Sequence, residues 1–313
     1  MTQRVLLLVC ALALAACAPM HVAVVSAPPS SLSLTTGFRI VAPSNAAESN
    51  GSGLVDRVSR ASVVFFGEQH DDPETHRAEA ELLEAIARSG RPVVLSLEMF
   101  ERDVQGVLDD YLAGRVSEQD FLAQSRPWER YATDYRRLVE LAKTQHWRVI
   151  AANVPRPLAS AVGRKGLAAL DTLTAAERAN AARENVCPAD DYRARFLESM
   201  QSHPGAGASA GDTLPTATVE RFYLAQCVKD ETMAESIVKA RLAGPANTIV
   251  VHFNGAFHSE YAQGTVARVK RRQPGWTIAT VTAIPVADPQ LAPVATQSGK
   301  ADFVIFTKQP RHP

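Results

Sequence analysis

The feature that most constrains the fold is a short apolar run that ends in a polar turn. Val63–Phe66 holds four β-branched or aromatic residues without polar alternation, which predicts a strand buried on both faces. The run stops at Gly67, and Asp72 followed by Pro73 predicts a capped helix start. Apolar residues at helical spacing continue this helix to about Ser89. The segment therefore predicts a buried strand, a turn and a helix.

Two functional side chains lie on that turn. Glu68 and His70 directly follow the predicted strand. In open α/β sheets, ligands bind at the carboxyl ends of the strands. The turn is therefore a candidate site, with a merely polar turn and a solvated His70 as the alternative.

The rest of the chain alternates strands with helices, which predicts an α/β protein with a mostly parallel sheet flanked by helices. Further strands are predicted at about residues 92–98, 147–152, 247–253 and 276–281, with 301–307 as a last edge strand and a short one near 38–41. Residues 155–242 show no strand pattern and read as a helical insertion or cap. Within it, helices are predicted at 174–184, 190–201 and 218–242.

Polar residues follow four of the predicted strands. They are Glu68 and His70 after the first, Glu98 after the second, Asn153 after the third, and His252 and His258 in and after the fourth. Parallel strands would bring them to one edge. Two carboxylates with imidazoles suit either a divalent metal such as Zn or Mn or an acid/base pair. For His252, a satisfied core residue is the alternative.

The amino terminus has the pattern of an export signal. A single cation, Arg4, precedes the apolar run Val5–Ala16, which is too short for a typical membrane span. Residues 14–17, Leu-Ala-Ala-Cys, resemble a bacterial lipobox, with lipidation at Cys17. An ordinary secretory signal cleaved near Ala18 is the alternative. The domains are then a signal peptide at 1–16, a lipidated tether at 17–50 and a folded domain at 51–313.

The charge balance bears on the binding partners of the protein, and the cysteine content bears on its crosslinks. Lys plus Arg equals Asp plus Glu, at 33 each, so nothing indicates a nucleic-acid partner. After export, Cys187 and Cys227 remain in an oxidising compartment, which predicts a disulfide, with two buried free thiols as the alternative.

Three motifs resemble those of one known family. Gly67–Asp71, Leu97–Phe100 and Asn254–His258 are similar to motifs of the ChaN-like haem-binding lipoproteins, which share a superfamily with erythromycin esterases and the TIKI proteases. The resemblance extends over about residues 63–282. The residue after Cys17, an alanine rather than an acid, implies by resemblance an outer-membrane anchor facing the periplasm.

The resemblance also implies site residues. In the hydrolase relatives, the residues matching Glu68, His70, Glu98 and His258 are catalytic or metal-binding. ChaN-like proteins form dimers that enclose two stacked haems, with a tyrosine on each iron and a histidine and a lysine on the propionates. The candidates in the cap are Tyr192 and Tyr223 for iron, His203 and Lys229 for propionates, and Phe196, Met200 and Phe222 for apolar walls. Tyr192 shares a helical face with Phe196 and Met200, so core packing is its alternative role.

Two functions follow as hypotheses. The first is a non-enzymatic, haem-binding outer-membrane lipoprotein that forms a homodimer and serves haem and iron uptake. The alternative is a metal-dependent hydrolase acting through Glu68, His70, Glu98 and His258. A hydrolase that has lost its activity and serves as an interaction module is a third.

Overall fold

The computed structural model describes residues 37–45, 47–202 and 214–309. Their strands form one eight-stranded sheet, in the order β2-β1-β8-β7-β3-β6-β4-β5. The strands are β1 (Arg39–Ala42), β2 (Ala47–Ser49), β3 (Val63–Glu68), β4 (Val93–Glu101), β5 (Arg148–Asn153), β6 (Ile249–Gly255), β7 (Ile278–Val286) and β8 (Phe303–Lys308).

The sheet is mostly parallel, as predicted. The six strands from β8 to β5 run in the same direction, while β1 pairs antiparallel with β8 and β2 antiparallel with β1. Two sequence expectations change here. β8 is not an edge strand, because β1 covers it. The sheet also begins at Arg39, so part of the segment interpreted as a tether at 17–50 belongs to the folded domain. The predicted signal peptide and the predicted lipidation site, Cys17, lie outside the described residues.

Ten α-helices flank the sheet in the part of the chain that the structure describes. They are α1 (Gly51–Val58), α2 (Pro73–Ala87), α3 (Gln105–Leu112), α4 (Glu118–Ser125), α5 (Arg136–Thr144), α6 (Arg156–Lys165), α7 (Ala175–Arg178), α8 (Asp191–Ser202), α9 (Thr216–Leu242) and α10 (Gly264–Arg272). A π-helical turn, Tyr131–Tyr135, precedes α5. No helix among these described residues is long and apolar enough to cross a membrane.

The insertion between β5 and β6 is helical, as predicted: residues 155–202 and 214–242 contain no strand. The helix expected at 174–184 is wrong in length, since α7 ends at Arg178. α7 ends early because side chains of α9 accept hydrogen bonds from backbone amides that would otherwise have continued the helix. The amides of Ala182 and Arg183 donate to Thr232 (3.1 Å) and Glu235 (3.0 Å).

β3 is buried along its whole length, which confirms the reading of the apolar run. Its two phenylalanines belong to different cores: Phe66 packs into the larger one with α2, and Phe65 packs into the one beneath α9. Each buried ring contributes about 1.5–3 kcal/mol. The strand is therefore held from both sides, which fixes the position of the turn that follows.

Candidate functional site at the carboxyl edge of the sheet

The order of the central strands brings the predicted site residues together. β6 lies between β3 and β4, and all three run parallel, with Glu68 in register with Gly255. The turn after β3 carries His70, β4 carries Glu98, and the turn after β6 carries His258. Asn153, at the end of β5, donates to the backbone carbonyl of Glu98 (3.1 Å) and so supports β4.

Glu68 holds His70 in a defined orientation. Glu68 is buried, and its Oε1 lies 2.6 Å from His70 Nδ1 and accepts from the Tyr135 hydroxyl at 2.7 Å. Burial lowers the pKa of His70, but hydrogen bonding to Glu68 and the charge of Glu98 outweigh it, so the pKa is raised. His70 is half exposed and lies edge-on to Trp128, with ring centroids 4.9 Å apart. With Nδ1 held by Glu68, Nε2 is the nitrogen that remains for chemistry.

Gly255 makes room for that imidazole. A Cβ at this position would lie 2.7 Å from His70 Nε2 and 2.9 Å from its Cε1, closer than real contacts allow. The glycine of the third motif is therefore a packing requirement of the site.

A second cluster joins the sheet edge to the cap. Glu98 Oε2 accepts from the Gly255 amide (2.8 Å), and Oε1 lies 3.4 Å from His258 Nε2. His258 Nδ1 is 2.7 Å from Oδ1 of Asp230, a buried residue of α9. Asp230 also accepts from the hydroxyls of Thr265 and Tyr192, both at 2.8 Å.

These contacts make His258 a buried cation between two anions. Burial lowers the pKa of His258, but Glu98 and Asp230 raise it to about 10. Burial would raise the pKa of Glu98, yet His258, His70 and Lys229 hold it well below its usual range. The pKa of Asp230 is likewise lowered, against burial, by His258 and Arg268. The arrangement can orient and charge-stabilise a reacting group next to His70.

His252 is not part of this site. Its Nδ1 lies 2.9 Å from the Ser96 hydroxyl, its ring packs edge-on to Phe65, and burial lowers its pKa to about 4. It is therefore a neutral core residue, but not the fully satisfied one of the alternative, because its buried Nε2 has no hydrogen-bond partner among the described residues.

The four residues expected to bind metal divide between the two clusters. Among the described residues, the one group of three or more such side chains with ligand atoms within 4.8 Å of one another is Glu68 with His76 and Glu79 of α2. Burial and the nearby charges of Glu68 and Asp134 raise the pKa of Glu79 well above its usual range. His76 and Glu79 were not predicted as site residues, because a polar residue on the buried, largely apolar face of α2 looks like any other interruption of the pattern. Asp230 on α9 was not predicted for the same reason.

The cap contains a cavity of about 470 Å³ between α6, α8 and α9. Phe196, Met200 and Phe222, the predicted haem walls, all line it. So do the cations Arg156, Arg164 and Lys229, of which Lys229 was a predicted propionate partner.

The two tyrosines proposed for iron lie in the core. The Tyr192 hydroxyl donates to Asp230, and that of Tyr223 donates to the carbonyl of Pro188 at 2.6 Å. Burial raises the pKa of both phenols above the usual value, with Asp230 adding to the effect at Tyr192 and Cys227 at Tyr223. Neither lines the cavity, and iron ligation by either stays a prediction. His203 lies outside the described residues.

The expected disulfide is not formed in the structure. Cys187 and Cys227 are both free and belong to the same apolar cluster of the cap. Burial and the neighbouring Cys187 raise the pKa of the Cys227 thiol. The prediction came from compartment and cysteine count, which carry no information on sulfur geometry.

The fold and the site define an α/β protein with two acid–imidazole clusters at one sheet edge and a helical cap next to them. Residues 54–269 match the sequence model of a family described as "Haem-binding uptake, Tiki superfamily, ChaN". The match covers more than half of the chain, which therefore belongs to the haem-binding uptake family of the Tiki superfamily.

The chain is similar to several solved structures, of which one shares its fold. A ChaN protein of Campylobacter jejuni, described as showing cofacial haem binding, has a TM-score of 0.65 at 13% identity, covering 87% of this chain and 98% of that one. An erythromycin esterase, EreC, in its open conformation, matches with a TM-score of 0.45 at 11% identity, covering 87% and 83%. No curated protein matches the sequence.

Proposed function

We propose that this chain binds haem in the cap cavity. The observation that carries the proposal is a set of three cations on an apolar cavity. In the part of the chain that the structure describes, the side chains of Arg156, Arg164 and Lys229 form no hydrogen bond or ion pair with other side chains. Lys229 is half buried, and its positive charge also acts on Glu98 at the sheet edge.

Haem suits this lining because it is a flat apolar molecule with two carboxylates. The side chains of Phe196, Met200 and Phe222 can contact the apolar faces of a haem, and the three cations can pair with its propionates. A bound haem would supply an iron centre that takes an axial ligand from the protein. Family membership supports this reading.

Of the two tyrosines, we propose that Tyr192 is the axial ligand of the haem iron. Its hydroxyl accepts from Gln226 (3.1 Å), which lines the cavity, whereas the Tyr223 hydroxyl points to a backbone carbonyl. The test is Tyr192→Phe beside Tyr223→Phe, since both lose one buried hydroxyl. Only Tyr192→Phe is expected to change the ferric, high-spin haem spectrum, and equal effects of the two would contradict the assignment.

The charge argument is tested by haemin titration. Arg156→Gln and Lys229→Gln should each weaken haemin binding by about 10-fold or more, since a charge-assisted hydrogen bond contributes roughly 1.5–3 kcal/mol. The matched control is Lys165→Gln, an exposed cation of α6 outside the cavity lining. Equal losses in all three variants would mean that only overall charge matters.

We further propose that the chain is a lipoprotein of the outer membrane, facing the periplasm, that forms a homodimer and serves iron uptake. The residues Leu-Ala-Ala-Cys at 14–17 support anchoring. Mass spectrometry of the mature protein should find acylated Cys17, and Cys17→Ser should release soluble, unmodified protein. Unaltered membrane association of that variant would count against anchoring. Light scattering with and without haemin tests the dimer.

Hydrolysis is a second candidate, favoured by the half-exposed His70 with Nε2 free. In that reading, His70 Nε2 accepts a proton from water, Glu68 steadies the ring, and Glu98 with His258 stabilises developing charge. A panel of ester substrates tests it, with His70→Gln expected to abolish any activity. Loss of activity on chelation, with recovery on added Zn²⁺ or Mn²⁺, would separate a metal-dependent enzyme from this acid–base one.

A further inference from the structure

A second cavity, of about 440 Å³, lies beside β5, the last strand of the sheet, and is used by neither function. We call it the edge cavity. A volume of this size is typical of small-molecule sites. Its polar lining comes from β5, the chain just after β4, the chain just after α7, and the last turns of α9: Arg102, Gln105, Arg148, Asn180, Ser236 and Lys239.

The edge cavity is separate from the cap cavity. The two linings share no residue, although α9 contributes to both. Lys229 lines the cap cavity and Lys239 the edge cavity, about 15 Å further along the helix axis. A ligand of one cavity therefore does not occupy the other.

The edge cavity has an excess of positive charge. Arg102 Nη1 and Lys239 Nζ share a single carboxylate oxygen, Glu235 Oε1, at 3.0 and 2.7 Å. The guanidinium of Arg148 is exposed and has no hydrogen-bond or ion-pair partner among the described residues. No carboxylate of the described chain lines the cavity itself. Three cations therefore face the cavity, with one shared carboxylate to balance them.

Burial makes the charge of Arg102 costly. Its side chain is only 11% exposed. Burial lowers the pKa of Arg102 and the charges of Arg272 and Arg178 lower it further, although Glu235 opposes them. An anion in the cavity would stabilise this guanidinium.

Hydrogen bonds hold Arg102 in place before any ligand binds. It donates to Ser236 Oγ (2.8 Å), to Glu235 and to the carbonyl of Thr232 (2.7 Å). These bonds use one N–H on each nitrogen and leave a further N–H on both Nη1 and Nη2. A donor that is already fixed loses little conformational entropy on binding.

Gln105 decides which kind of ligand the cavity suits. Its amide accepts from the Ala151 N–H and donates to the Val149 carbonyl, both at 2.8 Å, and also donates to the exposed Asp109 (2.8 Å). The amide thus takes the place of a neighbouring strand at the open edge of β5. An extended peptide cannot pair with these backbone groups, so the cavity favours a compact ligand.

We propose that the edge cavity binds a small anion that carries carboxylate or phosphate groups. The two guanidinium groups, Arg102 and Arg148, match the paired oxygens of such groups, and Lys239 adds a point charge. This site does not depend on haem binding in the cap or on the chemistry of His70.

Calorimetric titration of the full protein with citrate and with pyrophosphate tests the proposal. At least one of them should bind one-to-one, with a dissociation constant below about 1 mM. Tighter binding of citrate would identify carboxylate as the ligand group, and tighter binding of pyrophosphate would identify phosphate. Absence of binding by both would overturn the proposal.

Arg148→Gln should weaken binding of that probe about 10-fold, because it removes a charged donor that has no structural partner. The matched control is Arg88→Gln, an exposed arginine at the end of α2 and outside the lining. Equal losses in the two variants would show that only overall charge matters, and would overturn the site.

Ala179, which is exposed and lines the cavity, allows a test of charge alone. Ala179→Glu adds a carboxylate and should weaken binding at least about 10-fold, whereas Ala179→Gln, of the same length, should stay within about twofold of wild type. Equal losses in both would contradict the charge argument. Haemin affinity should be the same in both variants. Displacement of the bound anion by haemin would overturn the independence of the two cavities.

Discussion

At Gly255, the absence of a side chain decides where His70 can lie. Gly255→Ala should place a methyl group against His70 Nε2 and displace the imidazole. The backbone φ of −56° suits alanine, so folding should be retained at a cost of about 1–3 kcal/mol at most. The measurement is the His70 Nδ1 proton resonance, which should shift or vanish. Gly106→Ala, where the added Cβ has open space, is the control.

Because of His258, the free energy of unfolding should decrease at alkaline pH. Its folded pKa of about 10 lies above the unfolded value of about 6.5, so its contribution is fully present below pH 6.5 and is lost as pH rises through 10. The unfolding free energy of wild type should therefore fall between pH 7 and 10.

The comparison variant is His258→Gln, which leaves Glu98 and Asp230 without their cation and should cost about 3–5 kcal/mol at pH 7. Denaturant unfolding at several pH values should show a much flatter curve for this variant. Parallel curves for the two proteins would assign the alkaline loss to other groups.

At the scale of elements, Asp72 links α2 to the far strand β8. Its carboxylate accepts from the Thr75 amide (3.0 Å) and from the Thr307 hydroxyl of β8 (2.8 Å). Asp72→Ala should lower the unfolding free energy by about 1–3 kcal/mol, the loss of a cap plus a buried partner. Asp72→Asn keeps an acceptor and should lose less. Thr174→Ala, which removes a cap from the exposed α7, should cost less than Asp72→Ala in the same denaturant titration.

The elements also show what local sequence can predict. β3 and the start of α2 were readable because the apolar run, Asp72 and Pro73 act on their immediate neighbours. The end of α7 was not, because it depends on hydrogen bonds that the amides of Ala182 and Arg183 donate to Thr232 and Glu235, about 50 residues later. The local sequence pattern therefore predicts where an element lies. It does not predict where hydrogen bonds to distant residues end that element.

At the scale of the whole molecule, parallel topology explains why Glu68, His70, Glu98 and His258 could be predicted to converge. The partners that set their chemistry come from helices, where a buried polar residue such as Asp230 looks like any other interruption of an apolar face. In the cap, Phe196, Met200 and Phe222 were candidates under the family resemblance, and core packing was the alternative role of Tyr192; only the packed structure shows that the three line one cavity and that Tyr192 is buried.

Haemin titration of two variants tests the central claim, that haem binds in the cap and not at the sheet edge. Gly163 lines the cavity, and a Cβ there meets Phe222 at an ordinary 3.6 Å, so Gly163→Ala should fold and bind haemin normally. Gly163→Leu extends into the cavity and should weaken haemin binding at least 10-fold. Glu68→Gln, at the sheet edge, should leave haemin affinity unchanged. Loss of binding in Glu68→Gln, with full binding in Gly163→Leu, would contradict the account and place haem at the sheet edge.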